Sequence, residues 1–331
     1  MTILFAGGEL EDIEDAIGLI QFESPGNAVR SDFARCSLAM NSSSSYIHIP
    51  LSTNTFWFSC QYSKSTQQDG VTIFRFEDSS EKGLTVRIDE NYAVYFTTWD
   101  GSAHTDLNTP VAPPAFIGQS TPGIPYKIDV NVNYSSSGFI RFYINGVLAS
   151  NYIGDVTVSG VTDLTNIHIF PYYYYGNTYQ PEFSEIIIAD EDTRLMSLKT
   201  LVPNAAGDVN QWNNSYDYVD DINVDVLEII HTDTVDQDFQ CAVTGMPPEG
   251  EFICKALKIN CYAADGGVSG GISLQVGIKT NGVIHLGSVE NLDGYYFNYS
   301  VLYQVNPETS NRFTPAEIDA LQLTIRSKTP V

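Results

Sequence analysis

The sequence is poor in basic residues, and this shortage excludes a large class of partners. It contains 16 Lys and Arg against 40 Asp and Glu, which gives a net charge of −24 at pH 7. Nucleic-acid binding draws most of its affinity from Lys and Arg clustered against phosphates, and no such cluster occurs along the chain. We therefore predict no binding to nucleic acid or to anionic membranes. Acidity of this size is typical of a soluble, self-repelling protein.

Long apolar runs are also missing. No stretch approaches the roughly 18 consecutive apolar residues of a membrane-spanning helix. The opening segment Met1–Phe5 lacks the basic region of a secretory signal, and Gly7-Gly8-Glu9 interrupts its apolar stretch. We expect no membrane insertion and no secretory leader.

Metal-binding and nucleophilic motifs are likewise absent. The five His are scattered, and neither they nor the five Cys show a zinc-ligand spacing. No G-x-S-x-G sequence is present. We predict no cofactor, and we interpret His48 and His168, each between two Ile residues, as hydrogen-bonded sheet histidines. Cys241 and Cys254 could form a disulfide only in an oxidising compartment.

What the sequence does contain is strand-like alternation rich in aromatic residues, with 20 Tyr and 17 Phe. Apolar residues alternate with polar ones through Tyr126–Tyr134, which is typical of an antiparallel strand with one wet face. Asn281-Gly282 predicts a type I′ hairpin. Thr314, Pro315 and Glu317 predict one short helix with a capping box.

The length of 331 residues favours two domains over one. Between about residues 197 and 235 the chain becomes rich in Asp and Asn. We place the boundary there and predict an all-β protein of two antiparallel, jelly-roll-like β-sandwich domains, residues 1–196 and 197–331, with one short helix near the C-terminus.

The first domain resembles a laminin-G-like or concanavalin-A-like jelly roll. The segments that carry the resemblance are Phe56-Trp57-Phe58, Tyr126–Val130, Phe139–Gly146 and Phe183–Asp190. The third segment ends in an Asn-Gly hairpin, where both turn residues need positive φ. The resemblance implies a lectin-like scaffold that binds rather than catalyses, with Ile140, Phe142 and Ile144 facing the core.

The remainder resembles a module of bacteriophage tail and tail-fibre proteins. Its residues are Leu201–Asp208, Gln211-Trp212, Asn306–Thr309 and Phe313–Ala320. Such proteins often have Trp where Phe313 stands here. The resemblance implies a virion structural protein, assembled in the host cytoplasm as a homo-oligomer, with trimers common in fibres. Its partners would be other virion proteins and a host surface glycan. A capsid decoration protein or head fibre, and a cellular carbohydrate-binding lectin, remain as alternatives.

An enzymatic alternative rests on Asn223–Glu228. Some concanavalin-A-like glycanases carry Glu-x-Asp-x-x-Glu, in which the first carboxylate is the nucleophile. Asn223 occupies that position here, so the two carboxylates of a retaining mechanism are not both present. We therefore predict that the protein is not an enzyme.

Four acidic residues form the metal candidate: Asp217, Asp220, Asp221 and Asp225. Carboxylate oxygens are the ligands that Ca²⁺ prefers, and laminin-G-like domains often bind calcium. The spacing matches no EF-hand loop, so a set of solvated turn residues is the alternative.

The main candidate binding surface is a tyrosine run, formed by Tyr172, Tyr173, Tyr174 and Tyr175 with Tyr179 shortly after. Successive strand residues point to opposite faces, so about half of the run must point away from the core of its own sheet. Exposed Tyr suits sugar stacking or a protein interface. A strand covered on both faces by its own domain is the alternative.

Overall fold

A computed structural model of the chain describes residues 2–7, 15–17, 19–23, 36–40, 46–64, 70–88, 93–108, 126–173, 181–220, 227–243, 245, 253–266, 271–292 and 294–331. The chain divides into two compact units, Met1–Lys199 (unit 1) and Thr200–Val331 (unit 2). The division lies three residues after the boundary placed from the sequence. Both units are antiparallel β-structures, which confirms the predicted fold class.

Unit 1 contains an eight-stranded sheet. Its strands, in spatial order, are β13 (Val147–Gly154), β12 (Gly138–Ile144), β11 (Tyr126–Asn133), β6 (Thr55–Lys64), β15 (Pro181–Ala189), β4 (Cys36–Met40) and β3 (Leu19–Glu23), with β1 (Ile3–Gly7) pairing separately with β15. Every described pairing in this sheet is antiparallel.

A seven-stranded sheet completes unit 1. Its strands, in spatial order, are β10 (His104–Asp106), β9 (Val94–Trp99), β8 (Gly83–Ile88), β7 (Gly70–Glu77), β14 (Asn166–Tyr173), β5 (Tyr46–Pro50) and β2 (Asp15–Ile17). Strands β7, β8, β9 and β10 follow one another along the chain as a meander.

The core of unit 1 is aromatic and joins the two sheets. Phe56 and Phe58 of β6 contact Phe76 and Phe74 of β7, with ring centroids 5.2 and 5.5 Å apart. All four rings are fully buried. Truncating one such ring to Ala lowers the free energy of unfolding by roughly 3–5 kcal/mol. Burial of the rings therefore determines which side of each strand faces the core.

The Asn145-Gly146 hairpin has the predicted geometry. Its two residues have φ of 48° and 78°, as a type I′ turn requires. Ile140, Phe142 and Ile144 on β12 are fully buried, which confirms their predicted orientation. The intervening residues of β12 point to the outer face of the eight-stranded sheet.

Part of that outer face is covered by the chain itself, through the segment Asp190–Lys199 that follows β15. Lys127 Nζ donates a hydrogen bond to the Thr193 carbonyl at 2.9 Å and another to the Met196 carbonyl. Thr193 Oγ1 donates to Asp129 Oδ1 at 2.7 Å. Burial raises the pKa of Asp129 and lowers that of Lys127, because it penalises the charged form of each group.

The same segment places an arginine over two aromatic rings. The Arg194 guanidinium carbon lies 4.8 Å from the ring centre of Tyr143 and 5.6 Å from that of Trp57. The rings of Trp57 and Tyr143 are themselves stacked, with centroids 5.5 Å apart. Asp192 accepts from Arg194 Nη2 at 2.5 Å. The segment Asp190–Lys199 is therefore held against the eight-stranded sheet by hydrogen bonds and by the contact of Arg194 with the two rings.

Glu185 occupies a bulge in β15. Its φ is 48°, and the pairing with β6 shifts register between Ser184 and Ile187. The residue is 5% exposed. Burial raises its pKa to about 7, while the Leu198 N–H and the charge of Lys127 act in the opposite direction.

Unit 2 contains a six-stranded and a two-stranded sheet. The larger consists of β16 (Pro203–Asn210), β17 (Asp238–Val243), β23 (Gln322–Lys328), β19 (Ser273–Thr280) and β20 (Val283–Leu286), with β21 (Glu290–Asn291) pairing with β19. The smaller pairs β18 (Leu257–Ala263) with β22 (Phe297–Tyr303). Asn281 and Gly282 have φ of 50° and 82°, which confirms the predicted hairpin.

The single α-helix of the described chain, α1 (Pro315–Ala320), has the predicted capping box between Thr314 and Glu317. No helix in the described ranges is long and apolar enough to cross a membrane. Cys241 and Cys254 are both free thiols, and burial raises their pKa values to about 12 and about 11. The structure contains no disulfide between these two residues.

Burial of Glu185 predicts a pH-dependent stability. In the folded state its carboxyl binds a proton below about pH 7, whereas the unfolded chain releases it near pH 4.5. Stability is therefore present at low pH and is lost as pH rises toward 7, by up to about 3 kcal/mol. Glu185→Gln should remove most of this slope between pH 5 and 8 and should be the more stable protein at pH 8.

Hydrogen exchange of the β11 and β15 amides, corrected for intrinsic exchange rates, measures this in the full chain. The exposed Glu81→Gln serves as the control and should leave the slope unchanged. A Glu185→Gln variant with the wild-type slope would contradict the assignment.

Candidate functional site

The outer side of the seven-stranded sheet carries histidine, arginine, acidic and aromatic side chains in rows that run across the strands. Residues directly opposite each other on paired strands share one face. The first row, read from β5 to β10, is His48, His168, Arg75, Thr85, Thr97 and Asp106. The intervening positions Phe74, Phe76, Val86 and Phe96 are fully buried in the core.

A second row lies beside the first. From β14 to β10 it is Asn166, Glu77, Gly83, Trp99 and His104. Gly83 is required for a close approach, because a Cβ there would lie 2.0 Å from the Phe76 carbonyl oxygen. The glycine also leaves no side chain between Glu77 and Trp99.

Arg87 and Tyr95 stand opposite each other on β8 and β9, on the same side as these rows. We call the combined surface the His–Arg face. It is formed by Tyr46, His48, Arg75, Glu77, Arg87, Tyr95, Trp99, His104 and His168. Glu77 is 3% exposed, His104 is exposed, and the other seven are partly exposed.

Glu77 holds one end of the His–Arg face together. Its Oε1 lies 3.3 Å from His168 Nδ1, and its Oε2 lies 3.4 Å from Arg75 Nη1. The ring of His168 meets that of Tyr46 edge-on, with centroids 5.0 Å apart. Because Glu77 is almost fully buried, it fixes the orientation of the basic groups above it. His168 lies in β14, as expected of a sheet histidine, with Glu77 as its neighbouring carboxylate.

The other end is built around Trp99. The Arg75 guanidinium carbon lies 5.3 Å from the Trp99 ring centre, and the His104 ring lies 4.6 Å away on the opposite strand. His104 Nδ1 is 3.1 Å from Thr97 Oγ1, with donor and acceptor set by the imidazole tautomer. Partial burial, then the charges of Arg87 and Arg75, lower the pKa of His104, and Asp106 and Asp100 oppose them.

Arg87 differs from its neighbour Arg75 in that no carboxylate of the described part of the chain pairs with its guanidinium. Its guanidinium carbon lies 5.7 Å from the Tyr95 ring centre. Among the described residues no acidic side chain forms an ion pair with it, and its buried Nε has no hydrogen-bond acceptor. The buried Thr85 Oγ1 on the same strand also lacks a partner within the described ranges.

The His–Arg face therefore combines partly exposed aromatic rings with fixed hydrogen-bond donors. Aromatic rings with a polar neighbour offer apolar contact area, and Arg and His offer directional donors. Such a combination suits a ligand that carries both apolar C–H surface and many oxygen acceptors.

The structure places the predicted tyrosines only in part. Tyr172 and Tyr173 lie at the end of β14, paired with Val71 and Gly70 of β7, on the strand that carries His168. Tyr174, Tyr175 and Tyr179 lie outside the described residues.

The calcium candidates are not brought together among the described residues. Asp217 lies in a single-turn 3-10 helix, Tyr216–Tyr218, where its carboxylate accepts from the Ser215 hydroxyl. Asp220 follows it, whereas Asp221 and Asp225 lie outside the described residues. No group of three or more His, Cys, Asp or Glu that could hold a metal occurs in the described ranges.

One part of the His–Arg face has a signal in the sequence. Thr85 and Arg87 alternate with the apolar Leu84, Val86 and Ile88, which predicts that both point outward. The register that aligns the strands has no such signal, because residues 48, 75, 97 and 168 are far apart along the chain.

Comparison with known proteins leaves the family open. No protein-family profile matches the chain, and no curated protein matches it. Similar solved structures include the receptor-binding domain of botulinum neurotoxin type G, at 13% identity and a TM-score of 0.41. That match covers 58% of this chain and 48% of the toxin domain, so the chain spans about half of the toxin domain's length.

Two further similar structures are smaller proteins. The endo-β-1,4-glucuronan lyase of the fungus Trichoderma reesei has 10% identity and a TM-score of 0.42, over 57% of this chain and 96% of its own. The galectin LEC-6 of Caenorhabditis elegans has 12% identity and a TM-score of 0.31, over 45% and 94%. One match is a receptor-binding domain, one a galectin and one a lyase, and at such scores they decide neither ligand nor activity.

The electrostatic interaction between Arg87 and His104 on the His–Arg face can be measured without a ligand. Removing the positive charge of Arg87 in Arg87→Gln should raise the pKa of His104, because Arg87 lowers it in the wild type. NMR titration of the imidazole signals measures this. Arg141→Gln, on the other sheet, should leave His104 unchanged, and an unchanged titration in Arg87→Gln would show that the two groups do not share a field.

Proposed function

We propose that this chain is a non-enzymatic carbohydrate-binding protein and that the His–Arg face is its ligand surface. The observation that carries the proposal is the alignment of Trp99, His104 and Arg75 over a buried Glu77. Sugar rings present C–H faces that stack on aromatic side chains and hydroxyl groups that accept from Arg and His. The seven-stranded sheet supplies these groups on a rigid support.

Binding is favoured over glycoside hydrolysis by the position of the carboxylates. Hydrolysis by paired carboxylates needs separations of about 5–9.5 Å. The two carboxylates on the cross-strand rows of this face are Glu77 on β7 and Asp106 on β10, three strand spacings apart, which is about 14 Å. Glu77 is moreover engaged by Arg75 and His168.

We place this binding protein in a bacteriophage virion, as a tail-fibre or tail-associated component that serves assembly or host attachment. The support is the likeness of Leu201–Asp208 and Phe313–Ala320 to phage structural modules. These segments form β16 and the capped helix α1 with its flanking turn. We propose a homo-oligomer in contact with other virion proteins and a host surface glycan.

Binding by the His–Arg face predicts a selective loss on a glycan array. Wild-type protein should bind a subset of cell-surface saccharides, and Trp99→Ala should lose about tenfold in affinity through lost stacking. His104→Ala, at an exposed position, should weaken the same ligands. Phe139→Ala, an aromatic truncation on the outer side of the eight-stranded sheet, is the matched control and should bind normally.

Equal binding by all four proteins would move the ligand away from this face, and absence of binding to any saccharide would overturn the proposal. Incubation with an acidic polysaccharide tests the non-enzymatic assignment. The polymer should keep its length, and the appearance of shortened chains would contradict that assignment.

The virion setting predicts that antibody raised against the chain labels purified phage particles. Immunogold labelling on the tail is expected. Labelling on the capsid would instead favour a decoration protein or head fibre, and labelling nowhere would refute the virion assignment.

A further inference from the structure

We infer that the saccharide bound by the His–Arg face carries a carboxylate, and that the guanidinium of Arg87 is the group that pairs with it. This inference rests on the proposed function and narrows it to acidic sugars. It is carried by one arginine, Arg87, that contacts an aromatic ring and has no acidic partner among the described residues.

The first step is the charge distribution of the chain. With 40 acidic residues against 16 basic ones, a basic side chain has an excess of possible acidic partners. Arg75 has such a partner in Glu77, as Arg326 of unit 2 has in Asp238. Arg87 has none among the described residues, although it is only partly exposed.

The second step is the cost of leaving such a group unpaired. A partly buried guanidinium loses hydration, and a buried donor without an acceptor is destabilising. Arg87 Nε is a donor of this kind, and the neighbouring Thr85 Oγ1 is a second unsatisfied polar atom. Each buried polar atom without a partner requires an explanation, and the unpaired charge of Arg87 is the one that a ligand of opposite charge would satisfy.

The third step is the fixed geometry of the guanidinium. Arg87 is directly opposite Tyr95 in the sheet and lies over its ring. A cation–π contact of this kind restrains the guanidinium, and the planar group can donate to a bidentate acceptor. A carboxylate matches that fork with two parallel N–H···O bonds.

The surrounding groups supply the rest of a sugar site. Tyr95 is directly opposite Arg87 in the sheet, and Trp99 is on the same side of β9. A ligand at Arg87 would therefore have aromatic surface beside it. The charge of Arg87 lowers the pKa of His104, so the two groups are near each other. The imidazole of His104 offers the ligand a further hydrogen-bonding group.

The local charge favours a single negative charge on the ligand. Arg87 is the one unpaired cation among the described groups of the face, whereas Asp100 and Asp106 stand at its β10 end. A doubly charged phosphate would meet a single counter-charge and two repelling carboxylates. A monoanion, either a sugar carboxylate or a sulfate ester, fits one guanidinium, and the planar carboxylate fits its fork better.

The experiment compares matched ligands on the full chain by calorimetry. The first pair is an oligogalacturonate and its neutral methyl ester, and the second is sialyllactose and lactose. Sulfated lactose separates sulfate from carboxylate. Wild-type protein should bind at least one carboxylate ligand about 10- to 100-fold more tightly than its neutral partner, and added salt should reduce that preference.

Three variants then test the residue. Arg87→Gln should abolish the preference, so that the acidic ligand and its neutral partner bind with equal affinity. Arg87→Lys keeps the charge without the fork and should retain part of the preference. Arg141→Gln is the matched control, since Arg141 also lies over a ring, that of Phe139 at 4.2 Å, but on the other sheet. It should keep the full preference.

The outcomes separate this inference from the proposed function. Binding of neutral and acidic partners with equal affinity, unaffected by Arg87→Gln, would overturn the carboxylate assignment while leaving carbohydrate binding in place. Tighter binding of sulfated lactose than of the carboxylates would overturn the choice of anion. Binding of none of these ligands, nor of any saccharide on the array, would overturn both.

Discussion

The aromatic contact between the two sheets of unit 1 determines everything else about the candidate site. Because Phe74 and Phe76 of β7 must meet Phe58 and Phe56 of β6, the residue between them, Arg75, is forced to the opposite side. The same alternation turns Thr85 and Arg87 outward on β8. A shift of one residue in any of these strands would bury charges and expose phenyl rings. The packing of the core thus determines which side chains of β7 and β8 lie on the His–Arg face.

The outer sides of the two sheets in unit 1 use similar residues differently. On the eight-stranded sheet, Arg194 lies over Trp57 and Tyr143 but comes from a segment that the chain itself anchors through Lys127 and Asp129. Its charge is matched by Asp192. On the seven-stranded sheet the stacked arginines belong to the strands, and Arg87 keeps its charge unmatched among the described residues. The outer side of the eight-stranded sheet is thus partly covered by the chain itself. On the seven-stranded sheet, Arg87 has no such partner among the described residues.

Local features were predictable from the sequence, because they depend on neighbours in the chain. The Asn145-Gly146 and Asn281-Gly282 hairpins, the capping box of Thr314 and the buried side of β12 all follow from short-range chemistry, and the structure bears them out. The all-β class follows from the alternation. The His–Arg face could not be predicted, since it requires β14 to lie between β5 and β7, a placement made by long-range pairing. The candidates chosen from composition, the tyrosine run and the acidic cluster, lie largely outside the described residues.

Ligand binding to the outer side of the seven-stranded sheet should change the exchange of that sheet's backbone amides. Hydrogen–deuterium exchange of the full chain, with and without a saccharide to which it binds, tests this directly. We expect protection on ligand addition to be concentrated in β7, β8, β9 and β10. Protection confined to β11, β12 and β13, or to unit 2, would contradict it.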